Sequence, residues 1–208
     1  MSSSHWAAYN ARQAARPVRE LCRRVIDLAG PGRARTAVDL GCGAGRETRA
    51  LLDAGWRVIA LDGEPGTPQR VTRTIGGRHP ALEIRVQDFT EIRELPDADL
   101  IYAGYALPHQ PPASFDRVWA AARAALRPGG WLAADLFGDR DSWAGNPQLT
   151  FLKEGELRER LHGLEIVHWR EEDAPGPAFS GPKHWHVFEV IGTSPAGGVD
   201  RDLDAGRP

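Results

Sequence analysis

At 208 residues, 41% hydrophobic and 26% charged, the chain has the material for one domain with a sizeable core and no room for two large ones. Its 26 basic and 28 acidic residues leave a net charge of −2 with no long single-sign run, so nucleic acid and anionic membranes are not expected partners. Cys22 and Cys42 read as free thiols of a reducing compartment. Met1 to Asn10 lacks the basic start and apolar stretch of a signal peptide, and no window approaches the roughly 18 apolar residues of a membrane span. The expectation is a soluble, cytoplasmic protein.

Apolar residues recur at helical spacing from Arg12 to Ala29, with Pro17 suited to the first turn and Gly30-Pro31-Gly32 as the stop. Ala37 to Leu40 is a short apolar strand running into Gly41-Cys42-Gly43-Ala44-Gly45, followed by a helix from Arg46 to Ala54 and a strand from Trp56 to Leu61 that ends in Asp62. The alternation continues with a helix at Gln69–Ile75 and strands at Leu82–Gln87 and Leu100–Tyr105. A helix at Phe115–Leu126 then stops at Arg127-Pro128-Gly129-Gly130, before a strand at Trp131–Leu136. A helix at Lys153–Leu161 is followed by two strands, Leu164–Glu171 and His184–Ile191, joined by a Pro/Gly-rich turn. Repeated βα units closing in an antiparallel pair predict a single-domain α/β sandwich, Rossmann-like, around a mainly parallel seven-stranded sheet with an antiparallel C-terminal strand. Residues 1–35 read as a helical lid or cap, 36–193 as the ligand-binding domain, and 194–208, rich in Gly and Asp, as a disordered tail.

The glycine loop carries most of the functional reading. Glycines between a strand and a helix let the backbone approach a ligand closely, and the helix N-terminus behind them offers free N–H groups. The spacing is Gly-x-Gly-x-Gly, and Arg46 stands where a dinucleotide fingerprint needs its third glycine. Asp39, two residues before Gly41, would repel a pyrophosphate but suits the cationic ammonium and sulfonium of S-adenosylmethionine. Electrostatics therefore favours that cofactor over NAD.

Asp39 to Gly45 resembles the first motif of the class I S-adenosylmethionine-dependent methyltransferases, particularly the small bacterial-type enzymes that act on small molecules. The resemblance implies ribose recognition by Asp62, about 20 residues beyond the loop, with Gly63 beside it and Glu64 as the fallback. It places Asp88 against the adenine amino group and Phe89 against the base, and it matches Arg127-Pro128-Gly129-Gly130 to the turn before the fifth strand. The cofactor set it implies includes Gly41, Cys42, Gly43 and Gly45. His5 to Arg12 is similar to the segment that folds over the cofactor, with Trp6 and Tyr9 as a shield and Arg12 or Arg16 meeting its carboxylate. Each acidic residue also has a local reading as a cap or turn residue.

On the acceptor side, Tyr102 to His109 corresponds to the segment that lines the methyl-transfer site. Tyr105 is placed to contact the sulfonium region and His109 is the candidate base. The segment lacks the Asn/Asp-Pro-Pro-Tyr motif of adenine and amide methylation and the acidic residues that hold Mg²⁺ in catechol-type enzymes. His184 and His186 fall on one face of a strand, and with Trp143 they are candidates for an acceptor pocket. A third metal ligand is not evident, so no metal is expected. Seven tryptophans suit a flat or apolar acceptor. The reading is methyl transfer to an O, N or S atom of a small molecule by a monomer or homodimer. A catalytically silent cofactor-binding subunit and an NAD-dependent oxidoreductase are its alternatives.

Overall fold

Strands and helices alternate through residues 16–178 and 181–196, the part of the chain that the computed structural model describes. The strands are β1 (Thr36–Leu40), β2 (Arg57–Asp62), β3 (Leu82–Val86), β4 (Ala98–Ala103), β5 (Leu126–Gly138), β6 (Phe151–Leu152), β7 (Glu165–Ala178) and β8 (Gly181–Thr193). The helices are α1 (Glu20–Ala29), α2 (Arg46–Asp53), α3 (Thr67–Ile75), α4 (Pro112–Ala125) and α5 (Glu154–Arg160).

They form one sheet in the order β3-β2-β1-β4-β5-β8-β7, with the short β6 paired to β5 beside that path. Strands β1 to β5 pair in parallel and β8 runs antiparallel to both β5 and β7. The mainly parallel sheet with a reversed C-terminal strand is as the sequence predicts, but it has eight strands, because Phe151–Leu152 adds a short one. Strand order reverses at β1, between β2 and β4, so the carboxyl ends of β1, β2 and β4 frame the crevice where such sheets take ligands.

Both faces are buried. One packs against Phe115, Val118, Ala122 and Ala125 of α4 and Leu157 of α5, the other against Leu21, Cys22 and Val25 of α1, Leu51 and Leu52 of α2 and Val71 of α3. A continuous apolar run such as Ala37-Val38 or Ile59-Ala60-Leu61 is what a strand covered on both sides requires.

Four local expectations change. Helix α1 begins at Glu20, not near Pro17, because Arg19 is extended (φ −62°, ψ 147°) and gives its backbone N–H to the Glu47 carboxylate at 3.0 Å. The turn expected at Arg127-Pro128-Gly129-Gly130 is part of β5; Gly129 takes φ +73° and its N–H donates to Pro195, while Ser194 donates to Gly130. Ser194 and Pro195 are thereby fastened to the sheet, not part of a loose tail. The Pro/Gly-rich turn expected after Glu171 is a long ribbon: β7 and β8 stay paired out to Ala178 and Gly181. Among the described residues, no helix is long and apolar enough to cross a membrane.

Candidate cofactor and acceptor site

The glycine loop leaves β1 with Gly41, Gly43 and Gly45 all at positive φ (72°, 53° and 76°), a conformation that a Cβ disfavours. A Cβ on Gly41 would also overlap the Ala106 methyl. The loop is tied to β2 by the N–H groups of Gly41 and Cys42, which donate to Leu61 O at 2.8 and 3.0 Å. Asp62, ending β2, accepts the Gly43 N–H at Oδ2 and the Glu64 N–H at Oδ1, both at 2.9 Å. Asp62 therefore braces the loop from below, and Glu64 is engaged elsewhere, paired with Arg70 and accepting the Gly66 N–H. The Cys42 thiol is buried, and burial first and then the charge of Asp39 push its pKa well up.

Asp39 is 1% exposed and accepts a 2.6 Å hydrogen bond from Thr48 Oγ1 on α2. Burial raises its pKa to about 7, with Glu47 and Asp62 adding to the rise. Arg16 offsets part of this rise but is itself paired with Glu47, so a cationic ligand at the loop would favour the ionised carboxylate further.

Asp88 caps the turn at Phe89–Glu91, its Oδ1 accepting from Thr90 N and Oγ1 at 2.7 and 2.6 Å. Its other oxygen faces Gly63: a Cβ there would sit 3.8 Å from Asp88 Oδ2. Gly63 and Asp88 thus oppose each other across the ends of β2 and β3. Phe89 is buried in the core beneath Gly41.

Arg16 does not stand open beside the loop. Its two terminal nitrogens each donate at 2.6 Å to an oxygen of Glu47, the second residue of α2. Burial pulls the Glu47 pKa up, but the hydrogen bonds and charge of Arg16 outweigh it and leave it lowered. Trp6, Tyr9 and Arg12 lie outside the described residues.

After β4 the chain turns sharply, with Tyr105 at φ +57°, a conformation uncommon for a bulky side chain. Its ring lies under the Arg19 guanidinium (4.5 Å) and joins an aromatic cluster with Phe137 (6.3 Å) and Trp185 (6.2 Å). Burial, then Asp135, push the Tyr105 phenol up. His109 closes the 3₁₀ turn Leu107–His109, its ring 5.2 Å from Phe137 and 6.4 Å from Trp143. Lys183 fills the far side of this cluster, its ammonium 3.6 Å from the Trp143 ring and 3.8 Å from Trp185, paired with Asp141 at 2.5 Å.

The three acceptor-pocket candidates are not brought together. Trp143 joins Trp185, whereas His184 and His186 point from the opposite face of β8. His186 is fully buried; its Nδ1 accepts the Arg140 N–H and its Nε2 donates to Glu171, both at 2.9 Å. His184 pairs with Asp173 at 2.6 Å. Glu171, Asp173 and His186 bring possible ligand atoms within 4.8 Å of one another, but Arg140 pairs with both carboxylates and occupies them.

Sequence reasoning missed Asp135. It is 2% exposed on β5, its Oδ2 has no hydrogen-bond partner, and burial raises its pKa to about 7. The available signal was a lone acid inside the apolar run Trp131–Phe137.

The chain is similar to known methyltransferases. A methyltransferase domain family matches residues 37–130, which contain the glycine loop, Asp62, Asp88, Tyr105 and His109. The chain is 33% identical over 129 residues to trans-aconitate 2-methyltransferase of Mycolicibacterium gilvum, covering 61% of this chain and 46% of that protein. It is 40% identical over 65 residues to ribosomal RNA small subunit methyltransferase A of Nocardia farcinica, covering 31% and 22%. It thus spans less than half the length of either relative. Among solved structures, TehB of Haemophilus influenzae superposes with a TM-score of 0.72 at 14% identity over 85% of this chain and 62% of that one. The N-methyltransferase NodS of Bradyrhizobium japonicum, in complex with S-adenosylhomocysteine, gives 0.67 at 15% identity over 90% and 97%.

Proposed function

We propose that this chain, whose residues 37–130 match a methyltransferase domain family, is a class I S-adenosylmethionine-dependent methyltransferase that transfers a methyl group to an O, N or S atom of a small-molecule acceptor. The observation that carries this reading is the loop itself: three left-handed glycines braced by Asp62, with the buried Asp39 carboxyl beneath them. Such a site suits a nucleoside with a cationic tail and no phosphate.

S-adenosylmethionine, when bound, supplies a methyl carbon already activated by its sulfonium. In this reading the chain's residues position and shield. Gly41, Gly43 and Gly45 let the backbone come close to the nucleoside. Asp62 keeps lone pairs for the ribose hydroxyls beyond the two N–H groups it already holds, and Gly63 and Asp88 flank the base. Asp39 compensates the cationic tail through the low-dielectric loop.

Tyr105, held in its turn by Arg19 and the aromatic cluster, meets the acceptor side, and His109 forms part of the same wall. Holding two reactants in line removes much of the entropic barrier of a displacement, so positioning by these rings supplies a large share of the rate. A small acceptor suits the balanced surface charge. The ribosomal RNA methyltransferase similarity, confined to 31% of this chain, does not favour an RNA acceptor over it. The test is release of S-adenosylhomocysteine from S-adenosylmethionine across a panel of small carboxylic acids, phenols, amines and thiols, with a structured RNA as comparison. Turnover with a small molecule supports the reading; turnover with the RNA alone contradicts it.

A further inference from the structure

We propose that Asp135 takes the proton of the acceptor, and that the acceptor is a flat aromatic or heteroaromatic molecule whose nucleophilic atom carries an N–H or O–H. The inference rests on the methyltransferase reading above. Asp39 on β1 pairs with Tyr102 on β4, Tyr102 with Ala133 on β5, and Ala133 with Ile191 on β8. Two residues on, Asp135 pairs with Glu189. Paired residues share a face and every second residue returns to it, so Asp39, Asp135 and Glu189 lie on one face, the face covered by α1. All three are buried, at 1%, 2% and 9% exposure, and Glu47 joins them from α2.

Three of these four carboxylates are satisfied. Asp39 holds Thr48, Glu47 holds Arg16 and the Arg19 N–H, and Glu189 holds His168 at 2.7 Å. Asp135 Oδ2 is not, and neither is the buried Tyr102 hydroxyl, which lies against Gly104: a Cβ there would come within 2.5 Å of it. A buried carboxylate oxygen without a donor is costly and calls for an explanation. Its location supplies one. Asp135 lies beside the end of β4 that leads into Tyr105, which the proposed function places on the acceptor side; β4 separates it from the strand that carries the loop, and Phe137 and the aromatic cluster follow it on the same face. A flat molecule lying along Tyr105 would present its N–H or O–H to the unpartnered oxygen.

The step balances simply. The lone pair of the acceptor atom forms the new bond to the methyl carbon as the carbon–sulfur bond breaks, and that bond's electron pair stays on sulfur. The acceptor's proton passes to Asp135 Oδ2 and later to solvent. Burial keeps water from competing for the carboxylate, and a proton acceptor whose pKa lies near neutrality works best at ordinary pH. The charged and titratable groups around it are Arg19 before α1, Glu47 of α2, Tyr102 and Tyr105, Glu189 of β8 and Arg170 of β7.

The test compares paired probes on the full chain saturated with S-adenosylhomocysteine at pH 8: benzimidazole against 1-methylbenzimidazole, and 2-naphthol against 2-methoxynaphthalene, by ligand-observed NMR. The wild-type complex is expected to prefer at least one N–H or O–H probe over its methylated twin by about tenfold or more, the worth of a hydrogen bond to a charged group. Asp135→Asn should erase that preference while binding S-adenosylhomocysteine within twofold of wild type. If the variant does not fold, the wild type decides alone: its preference must collapse as pH falls below about 7 and Asp135 becomes protonated. Equal affinity for the twins, no binding of any probe, or a preference that survives Asp135→Asn or low pH overturns the inference. Failure of the wild type to bind S-adenosylhomocysteine would instead remove the methyltransferase reading beneath it.

Discussion

Asp62 and Gly43 are joined by a 2.9 Å hydrogen bond, from the Gly43 N–H to Asp62 Oδ2, which fixes the glycine loop to the residue proposed to hold the ribose. One carboxylate thus shapes the loop and meets its ligand. Asp62→Ala is expected to weaken S-adenosylhomocysteine binding by about 1–3 kcal/mol, since it removes charge-assisted hydrogen bonds and frees the loop. Calorimetric titration measures this. Unchanged affinity would move the ribose contact away from Asp62, and Glu64 would have to leave Arg70 to take it.

The loop's glycines differ in what they can tolerate. Gly41→Ala forces a left-handed Cβ onto the Ala106 methyl, and the combined strain and overlap should cost about 2 kcal/mol or more. Gly76→Ala provides the comparison, because Gly76 has a similar φ of +83° and nothing within 4 Å of its Cβ position. It should cost about 1 kcal/mol. Urea unfolding of both variants checks the difference; equal losses would mean the loop can yield around a methyl.

The loop was legible because its signals are local. The glycines, Asp39 and Asp62 lie within one βαβ unit, and the strand and helix periods around them are short-range. What escaped depends on register. His184 and His186 do share a face, but their partners Asp173 and Glu171 face them only once β7 and β8 are aligned. The ribbon itself was hidden by Pro175, Gly176, Pro177 and Pro182, which read as a turn. Pro175 and Pro177 are tolerated because β7 is an edge strand, and Pro182 lies beyond the part of β8 that pairs with β5. Asp135 belongs to the same class of omission: its meaning comes from Asp39, Tyr102 and Glu189, three other strands.

The two raised carboxylates set the pH dependence of stability. Asp39 and Asp135 titrate near 7 in the folded chain and near 4 when unfolded, so between these values the native state binds more protons. Their stabilising contribution is fully present below about pH 4 and lost as pH rises through 7. The lowered carboxylates Glu47, Glu171 and Asp173 act in the opposite sense, but only below about 4.5. The ligand-free protein should therefore melt at higher temperature at pH 5.5 than at pH 8, and Asp39→Asn should flatten that slope. A melting temperature that falls from pH 8 to 5.5 would contradict the assignment of these two groups.

His109 is expected to act as a wall, not as the proton acceptor. His109→Phe keeps a ring against Phe137 and Trp143 and should leave kcat within about threefold, whereas His109→Ala should raise the acceptor KM by about tenfold, the worth of losing roughly 1.4 kcal/mol of contact. Steady-state kinetics with any acceptor found by the product-release screen separates the two. A collapse of kcat in both variants would return the base to His109.

The central claim is that the glycine loop holds a nucleoside with a cationic tail. It is tested most directly by calorimetric titration of the purified chain with S-adenosylmethionine, S-adenosylhomocysteine and NADH. The account predicts saturable binding of both adenosyl ligands and none of NADH, with affinity for S-adenosylmethionine weakening as pH falls below about 7 and Asp39 gains its proton. Binding of NADH in preference to either adenosyl ligand would contradict it.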